Sequence, residues 1–92
     1  MKWKLFANLA ETAGTKEVEV DAGAGDTVRD AFDALLDAHP ELRDETVDES
    51  GDLREHIRML RNDTSPFADG DGFETRLEEG DTLALFPPVS GG

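Results

Sequence analysis

The sequence predicts an α+β fold in which one main helix packs on a mixed β-sheet. Apolar and polar residues alternate in several short segments, which is typical of half-buried strands. Residues 28–36 instead carry apolar side chains at helical spacing. The chain has 92 residues, enough for one domain with one hydrophobic core.

The first two predicted strands follow each other closely. Residues 2–9 form the first strand, whose strict alternation gives one inner face: Trp3, Leu5, Ala7 and Leu9. Residues 11–15 predict a turn, and residues 16–21 resume the alternation with Val18 and Val20 inward. The two strands are therefore expected to form a hairpin.

The main helix has a start signal and a stop signal. Thr27, with an acidic residue at position 30, matches a capping box, in which two side chains satisfy the first backbone N–H groups. The apolar stripe of this helix consists of Val28, Phe32, Leu35 and Leu36. The helix should end by His39, because the residue before Pro40 resists helical geometry.

The second half of the chain supplies two more strands. Residues 41–55 predict a long acidic surface connection with one helical turn around residues 41–46. Residues 57–62 predict a short strand, and residues 82–86 predict the last one. In that last strand Leu83 and Leu85 face inward and Phe86 faces the other side.

The charge balance limits the partners. The net charge is -13, from 22 acidic residues against 3 lysines and 6 arginines. This balance argues against binding nucleic acids or anionic membranes, which require a basic surface. An acidic, lysine-poor surface is typical of a protein that works in concentrated salt, so we expect a halophilic source.

Other features argue against metal and thiol chemistry. The chain has no cysteine, which excludes disulfides and thiolate ligands. Residues 69–72 look like a calcium loop but lack its glutamate, and His39 and His56 are isolated, so no metal site is predicted. No apolar run is long enough for a signal peptide or a membrane span, and a cytoplasmic protein is expected.

Residues 87–92 are the stretch of greatest chemical interest. Pro87 and Pro88 make a stiff spacer after the last strand, and Gly91 and Gly92 follow with no Cβ atoms. Such a tail can enter a narrow channel and present the Gly92 carboxylate to another protein. Chain ends are often merely frayed, so the preceding domain has to support this hypothesis.

The predicted order of elements, with the last strand beside the first, is the β-grasp arrangement of ubiquitin-like proteins. The sequence also resembles the small subunit of molybdopterin synthase (MoaD type) and its archaeal relatives, the small archaeal modifier proteins. The resemblance lies in residues 5–11 with Gly14, residues 27–31, and residues 80–81 followed by residues 85–92. It implies a β-grasp domain over residues 1–86 and a flexible tail over residues 87–92.

The resemblance also implies a chemistry. An enzyme of the ubiquitin-activating type would adenylate Gly92 with ATP and magnesium. The tail would then form an isopeptide bond with a target lysine, or a thiocarboxylate that donates sulfur in molybdopterin synthesis with the synthase large subunit. The residues that match partner contacts in the family are Phe86, Pro87, Pro88, Val89, Ser90 and Gly91.

Several alternatives stay open. Phe86 fits ordinary burial in the sheet as well as an exposed partner anchor. The second hypothesis for the whole chain is a non-covalent acidic binding module that uses the sheet face. A third hypothesis, an independent enzyme, has little support. Conjugation and sulfur transfer start from the same activated carboxylate, so the sequence does not separate them. Lys2, Lys4 and Lys16 are the lysines that could accept a second copy.

Overall fold

A four-stranded sheet organises the chain. A computed structural model describes residues 1–87, except for the side chain of Asp69. The strands are β1 (Lys2–Leu5), β2 (Glu17–Glu19), β3 (Arg58–Arg61) and β4 (Thr82–Phe86). Their order across the sheet is β2-β1-β4-β3. The central strands β1 and β4 are parallel, and both edge pairs are antiparallel, so the predicted mixed sheet is confirmed.

Helices cover one face of this sheet. They are α1 (Asn8–Ala13), α2 (Val28–Ala38), α3 (Arg43–Thr46) and α4 (Pro66–Asp69), with 3-10 turns at Pro40–Leu42 and Gly72–Glu74. The main helix α2 begins with the predicted capping box. The Thr27 hydroxyl accepts a bond from the Asp30 backbone N–H, and the Asp30 carboxylate accepts one from the Thr27 N–H. The helix ends at Ala38, before Pro40, as expected.

The core lies between α2 and the inner face of the sheet. The predicted apolar stripe of α2 is buried, as are Leu83 and Leu85 of β4. The Trp3 indole packs against the Phe32 ring at 5.9 Å between centroids, and its N–H donates to the Ala31 carbonyl at 3.1 Å. Trp3 is therefore a core residue whose one polar atom is satisfied inside the fold.

The predicted first strand was too long. β1 ends at Leu5, because the Leu9 N–H bonds back to the Phe6 carbonyl at 3.1 Å and the chain turns. Ala7 has φ 52° and ψ -130°, close to the first central position of a type II′ turn. Ala7 is exposed rather than inward, and Leu9 is buried from α1 instead of from a strand. The antiparallel pairing of β1 with β2 is confirmed, although α1 occupies the connection.

The acidic connection agrees better with its prediction. The expected helical turn is present as the first 3-10 turn followed by α3, and Leu42 and Val47 are buried beneath it. The strand predicted at 57–62 is shorter, with Ile57 buried just before it, and β2 is shorter than 16–21. No helix in the described part of the chain is long and apolar enough to cross a membrane.

Candidate protein interaction site

The face of the sheet opposite α2 is open. Side chains alternate along strands, so residues out of phase with the buried Trp3 and Leu5 lie on this face. β1 places Lys2 and Lys4 there, with Phe6 directly after it. The remaining members come from the other three strands: Glu17 and Glu19 of β2, Thr82, Ala84 and Phe86 of β4, and Arg58 and Leu60 of β3.

An aromatic pair lies where β4 ends. The Phe6 and Phe86 rings stack in parallel, with 4.4 Å between centroids and 12° between planes. Phe6 is 40% exposed, and both Phe86 and Pro87 are half-buried. The stack fixes the Phe86 ring without removing it from solvent. An aromatic surface held in one position loses little entropy on binding, which suits a protein contact.

A shallow cavity adjoins the pair. It has a volume of about 340 Å³, and its walls include Lys4, Leu60 and Ala84 beside the two rings. The lining is mixed, because Asn62, Asp63 and Thr82 lie beside these groups. The cavity can hold a side chain of another protein that combines an apolar part, placed against the rings, with a polar end. Among the side chains that the structure describes, no group of three histidine, aspartate or glutamate residues could hold a metal ion.

Charge is distributed unevenly between the two sides of the domain. The open face carries three cations, Lys2, Lys4 and Arg58, beside two carboxylates, Glu17 and Glu19 of β2. The exposed side of α2 carries Asp30, Asp33 and Asp37. Lys2 lies 3.7 Å from the Glu17 carboxylate on the neighbouring strand. The open face is therefore the less acidic side and the better one for an acidic partner.

The start of β4 has a structural role. The buried Asp81 carboxylate accepts bonds from the Arg61 Nε at 2.8 Å, the Asn62 amide at 2.7 Å and the Glu78 backbone N–H at 2.7 Å. Burial raises the pKa of Asp81, but the bonds from Glu78, Asn62 and Arg61 outweigh it and leave this pKa below its usual value. The Gly80-Asp81 part of the recognised motif thus stabilises the turn before β4.

The predicted site residues fall into two groups. Phe86 and Pro87 lie at the open face, and Phe86 combines both expected roles, since it packs on the sheet and stays accessible. The other predicted tail residues lie outside the described residues: Pro88, Val89, Ser90, Gly91 and Gly92. Lys2 and Lys4 belong to the open face, and Lys16 is exposed just before β2.

Phe6 is the main contributor that the sequence interpretation did not assign. The sequence could have placed it, because in an alternating strand Phe6 falls on the same face as Lys2 and Lys4 and on the face opposite Trp3. Leu60 could not be assigned in this way. Its place beside Phe86 depends on the register of β3 against β4, which pairs Leu60 with Ala84.

Comparisons with known proteins agree with this geometry. The ThiS family model matches residues 3–92. The chain belongs to the ThiS family. It is 48% identical to small archaeal modifier protein 1 of Haloferax volcanii over 92 residues, which cover all of both chains. The crystal structure of that protein superposes with a TM-score of 0.88, over 100% of this chain and 98% of the other. The β-grasp fold is confirmed.

Two further structures extend the comparison to other members of the fold. A putative molybdopterin converting factor subunit 1 from Pyrococcus furiosus is 26% identical, with a TM-score of 0.72, over 96% of this chain and 95% of that one. A chain in the crystal structure of the Amycolatopsis orientalis BexX/CysO complex is 28% identical, with a TM-score of 0.81, over 99% of this chain and 98% of that one.

Proposed function

We propose that this protein is a ubiquitin-like modifier and sulfur carrier whose reacting group is the Gly92 carboxylate. The observation that supports this function is the full-length similarity to small archaeal modifier protein 1, including the tail. The similarity to a molybdopterin converting factor subunit supports the sulfur-carrier branch. On this proposal the protein is a substrate of enzymes in the cytoplasm, not an enzyme.

The chemistry begins with activation. A Gly92 carboxylate oxygen attacks the α-phosphorus of ATP, which is held with magnesium by an enzyme of the ubiquitin-activating type. Pyrophosphate leaves, and an acyl-adenylate forms. A target lysine amine then attacks the acyl carbon, so that an isopeptide bond forms and AMP and a proton leave. If sulfide is the nucleophile, the same step gives a thiocarboxylate, the sulfur donor for molybdopterin synthesis.

The described site supplies the docking surface for these steps. The activating enzyme, or the large subunit of molybdopterin synthase, would contact the Phe6 and Phe86 rings and the neighbouring cations. Pro87 leaves β4 beside these rings. A partner bound there is in a position to take residues 88–92 into its own active site. The BexX/CysO complex is a structural precedent for a chain of this fold bound to a protein partner.

Mass spectrometry of the protein purified from its own host tests this function. A Ser90→Arg variant allows trypsin to leave a Gly-Gly remnant on modified lysines. We expect that remnant on lysines of other proteins, and a thiocarboxylate at Gly92. Deletion of Gly91 and Gly92 should abolish both products and leave the melting temperature unchanged. Conjugates that persist after this deletion would contradict the proposal.

The open face supports a second candidate function, a non-covalent acidic binding module. It differs from the first candidate in one measurable respect. If the protein is only a binding module, deletion of Gly91 and Gly92 leaves all of its partner complexes unchanged, and no conjugate exists in the unmodified strain.

A further inference from the structure

The edge strand β3 has backbone groups that the sheet does not use. The Asn62 N–H donates to the Thr82 carbonyl, so by alternation Arg58 and Leu60 also direct their backbone groups to β4. Met59 and Arg61 therefore direct theirs outward. The Arg61 N–H donates to the Thr64 carbonyl at 2.8 Å, and the Arg61 carbonyl accepts a bond from the Thr64 N–H at 3.0 Å. Among the backbone bonds of the described residues, none satisfies the outward groups of Met59.

The opposite edge, β2, is closed in a different way. The Thr15 hydroxyl accepts a bond from the Glu17 N–H at 3.3 Å and donates one to the Glu17 carbonyl at 3.0 Å. The side chains at both ends of β2, Glu17 and Glu19, are exposed carboxylates. Charged side chains and local caps are the usual means of preventing strand addition. β3 is the edge better suited to receive another strand.

An apolar groove runs beside β3. It has a volume of about 460 Å³, and its lining includes the apolar Leu53, Phe67 and Phe73 and the charged Asp52, Arg54 and Glu55. Four consecutive residues, 57–60, line it. Their side chains alternate between the two faces of the sheet, so the feature that they share is the strand edge. The groove therefore follows the edge along which the Met59 backbone groups point.

Phe67 is an exposed aromatic residue held at the border of this groove. It is 43% exposed, and its ring meets the Phe73 ring edge-on at 5.0 Å. Phe73 in turn stacks on the buried Phe32 at 5.8 Å, and the Arg29 guanidinium lies 4.2 Å above it. This chain of contacts connects Phe67 to the core. The ring is fixed in place and still available to a partner.

We propose that β3 receives an extended segment of a partner protein as a fifth strand of the sheet. The partner residue opposite Met59 would exchange two main-chain bonds with it and direct an apolar side chain towards Phe67. The residue opposite Arg58 would be acidic, since Arg58 is exposed and takes part in none of the ion pairs of the described residues. The residue opposite Leu60 would be apolar.

In this mode of binding the backbone and the side chains have different roles. Main-chain bonds supply affinity, and the alternating pockets supply specificity. The groove shares Arg58 and Leu60 with the open face, but Phe67 and Phe73 belong to it alone, and it does not involve the chemistry of Gly92. A modifier already joined to a target would keep this edge, so a receptor could recognise it there. The interaction should also survive deletion of Gly91 and Gly92, which separates its test from the test of the proposed function.

The first experiment is an NMR titration of the ¹⁵N-labelled full chain in molar potassium chloride. The probe is a capped synthetic peptide whose centre reads valine, isoleucine, glutamate, valine, the antiparallel complement of residues 57–60. We expect the largest shift changes at Met59 and slower hydrogen exchange of its amide. A matched peptide with an N-methyl group on the isoleucine keeps the side chains but loses one main-chain donor. It should bind about tenfold more weakly, a difference of about 1.4 kcal/mol.

Protein variants complete the test. Phe67→Ala should weaken the peptide about tenfold, whereas Phe6→Ala removes a similarly exposed ring from the other site and should leave the peptide affinity unchanged. Arg58→Glu should weaken it and should be rescued by a peptide with lysine in place of glutamate. The proposal is overturned if no peptide binds, if the shifts map to β2 or to Phe6 and Phe86 in place of Met59 and Phe67, or if N-methylation has no effect.

Discussion

The two ends of β4 use the same strand in opposite ways. At its start, the Asp81 carboxylate is buried and accepts hydrogen bonds from Arg61, Asn62 and Glu78. At its end, Phe86 stacks on a single partner ring, Phe6, and remains accessible. Both ends belong to the motif by which the sequence resembles its family. The difference shows that such a motif joins residues needed for folding to residues available for recognition.

The largest effect is expected at the start of β4, where Asp81 is buried. Asp81→Ala removes the acceptor of the Arg61 Nε, the Asn62 amide and the Glu78 N–H, and should lower the free energy of unfolding by about 3 kcal/mol. Urea denaturation measures this loss. Glu79→Ala, at an exposed carboxylate in the same turn, is the control and should change little. Equal effects of the two substitutions would show that Asp81 is no more important than a surface residue.

Substitutions at the end of β4, where the Phe6 and Phe86 rings stack, should change partner affinity more than stability. Phe86→Ala and Phe6→Ala each remove half of the stack, and should weaken docking of the activating enzyme about tenfold, or about 1.4 kcal/mol. The stability loss should stay below about 1 kcal/mol, because both rings are partly exposed already. Calorimetric titration and thermal unfolding measure the two quantities separately. A large loss of stability with unchanged affinity would reverse the comparison between the two ends.

A gain in stability is expected next to the open end. Ala7 adopts a positive φ in the turn that follows β1, where glycine is preferred because it has no Cβ. Ala7→Gly should therefore stabilise the domain by about 1 kcal/mol. Ala24→Gly, at an exposed loop position without a positive φ, should not. A destabilising Ala7→Gly would mean that the turn is not under strain.

The smallest effect concerns the pH dependence of stability. The pKa of Asp81 is lower in the folded state than its ordinary value of about 3.9, so its contribution to stability is present above that value. This contribution is lost as the pH falls through the lowered pKa. The stability difference between the wild type and Asp81→Asn should therefore be constant near neutral pH and shrink below about pH 4. A stability difference that grows below about pH 4 would mean that folding raises the pKa of Asp81.

The sequence predicted those elements whose signals are local. The capping box and apolar stripe gave α2 from residues within one or two turns, and strict alternation gave β4. The error came at residues 8–13, where Leu9 fits an alternating strand as well as a short helix. The deciding fact there is the positive φ of Ala7, and alanine gives no sequence signal for that conformation.

Features of the site that depend on distant residues could not be predicted. Asp81 and its partners Arg61 and Asn62 are about twenty positions apart, and only the register of β3 against β4 brings them together. The groove beside β3 likewise needs segments from three parts of the chain. Alternation within one strand placed Phe86 on the face opposite Leu83 and Leu85, and the family resemblance made it a candidate partner contact.

The parallel pairing of β1 with β4 has a mechanical consequence. From Lys2 opposite Thr82 to Leu5 opposite Leu85, the two strands run side by side at the centre of the sheet. A force that pulls β1 from its start and β4 from its end acts along the hydrogen-bonded pair in shear. All the bonds of the pair then resist together, whereas a peeling force breaks them one at a time. A domain tethered through residues beyond β4 can in this way withstand traction on its attachment.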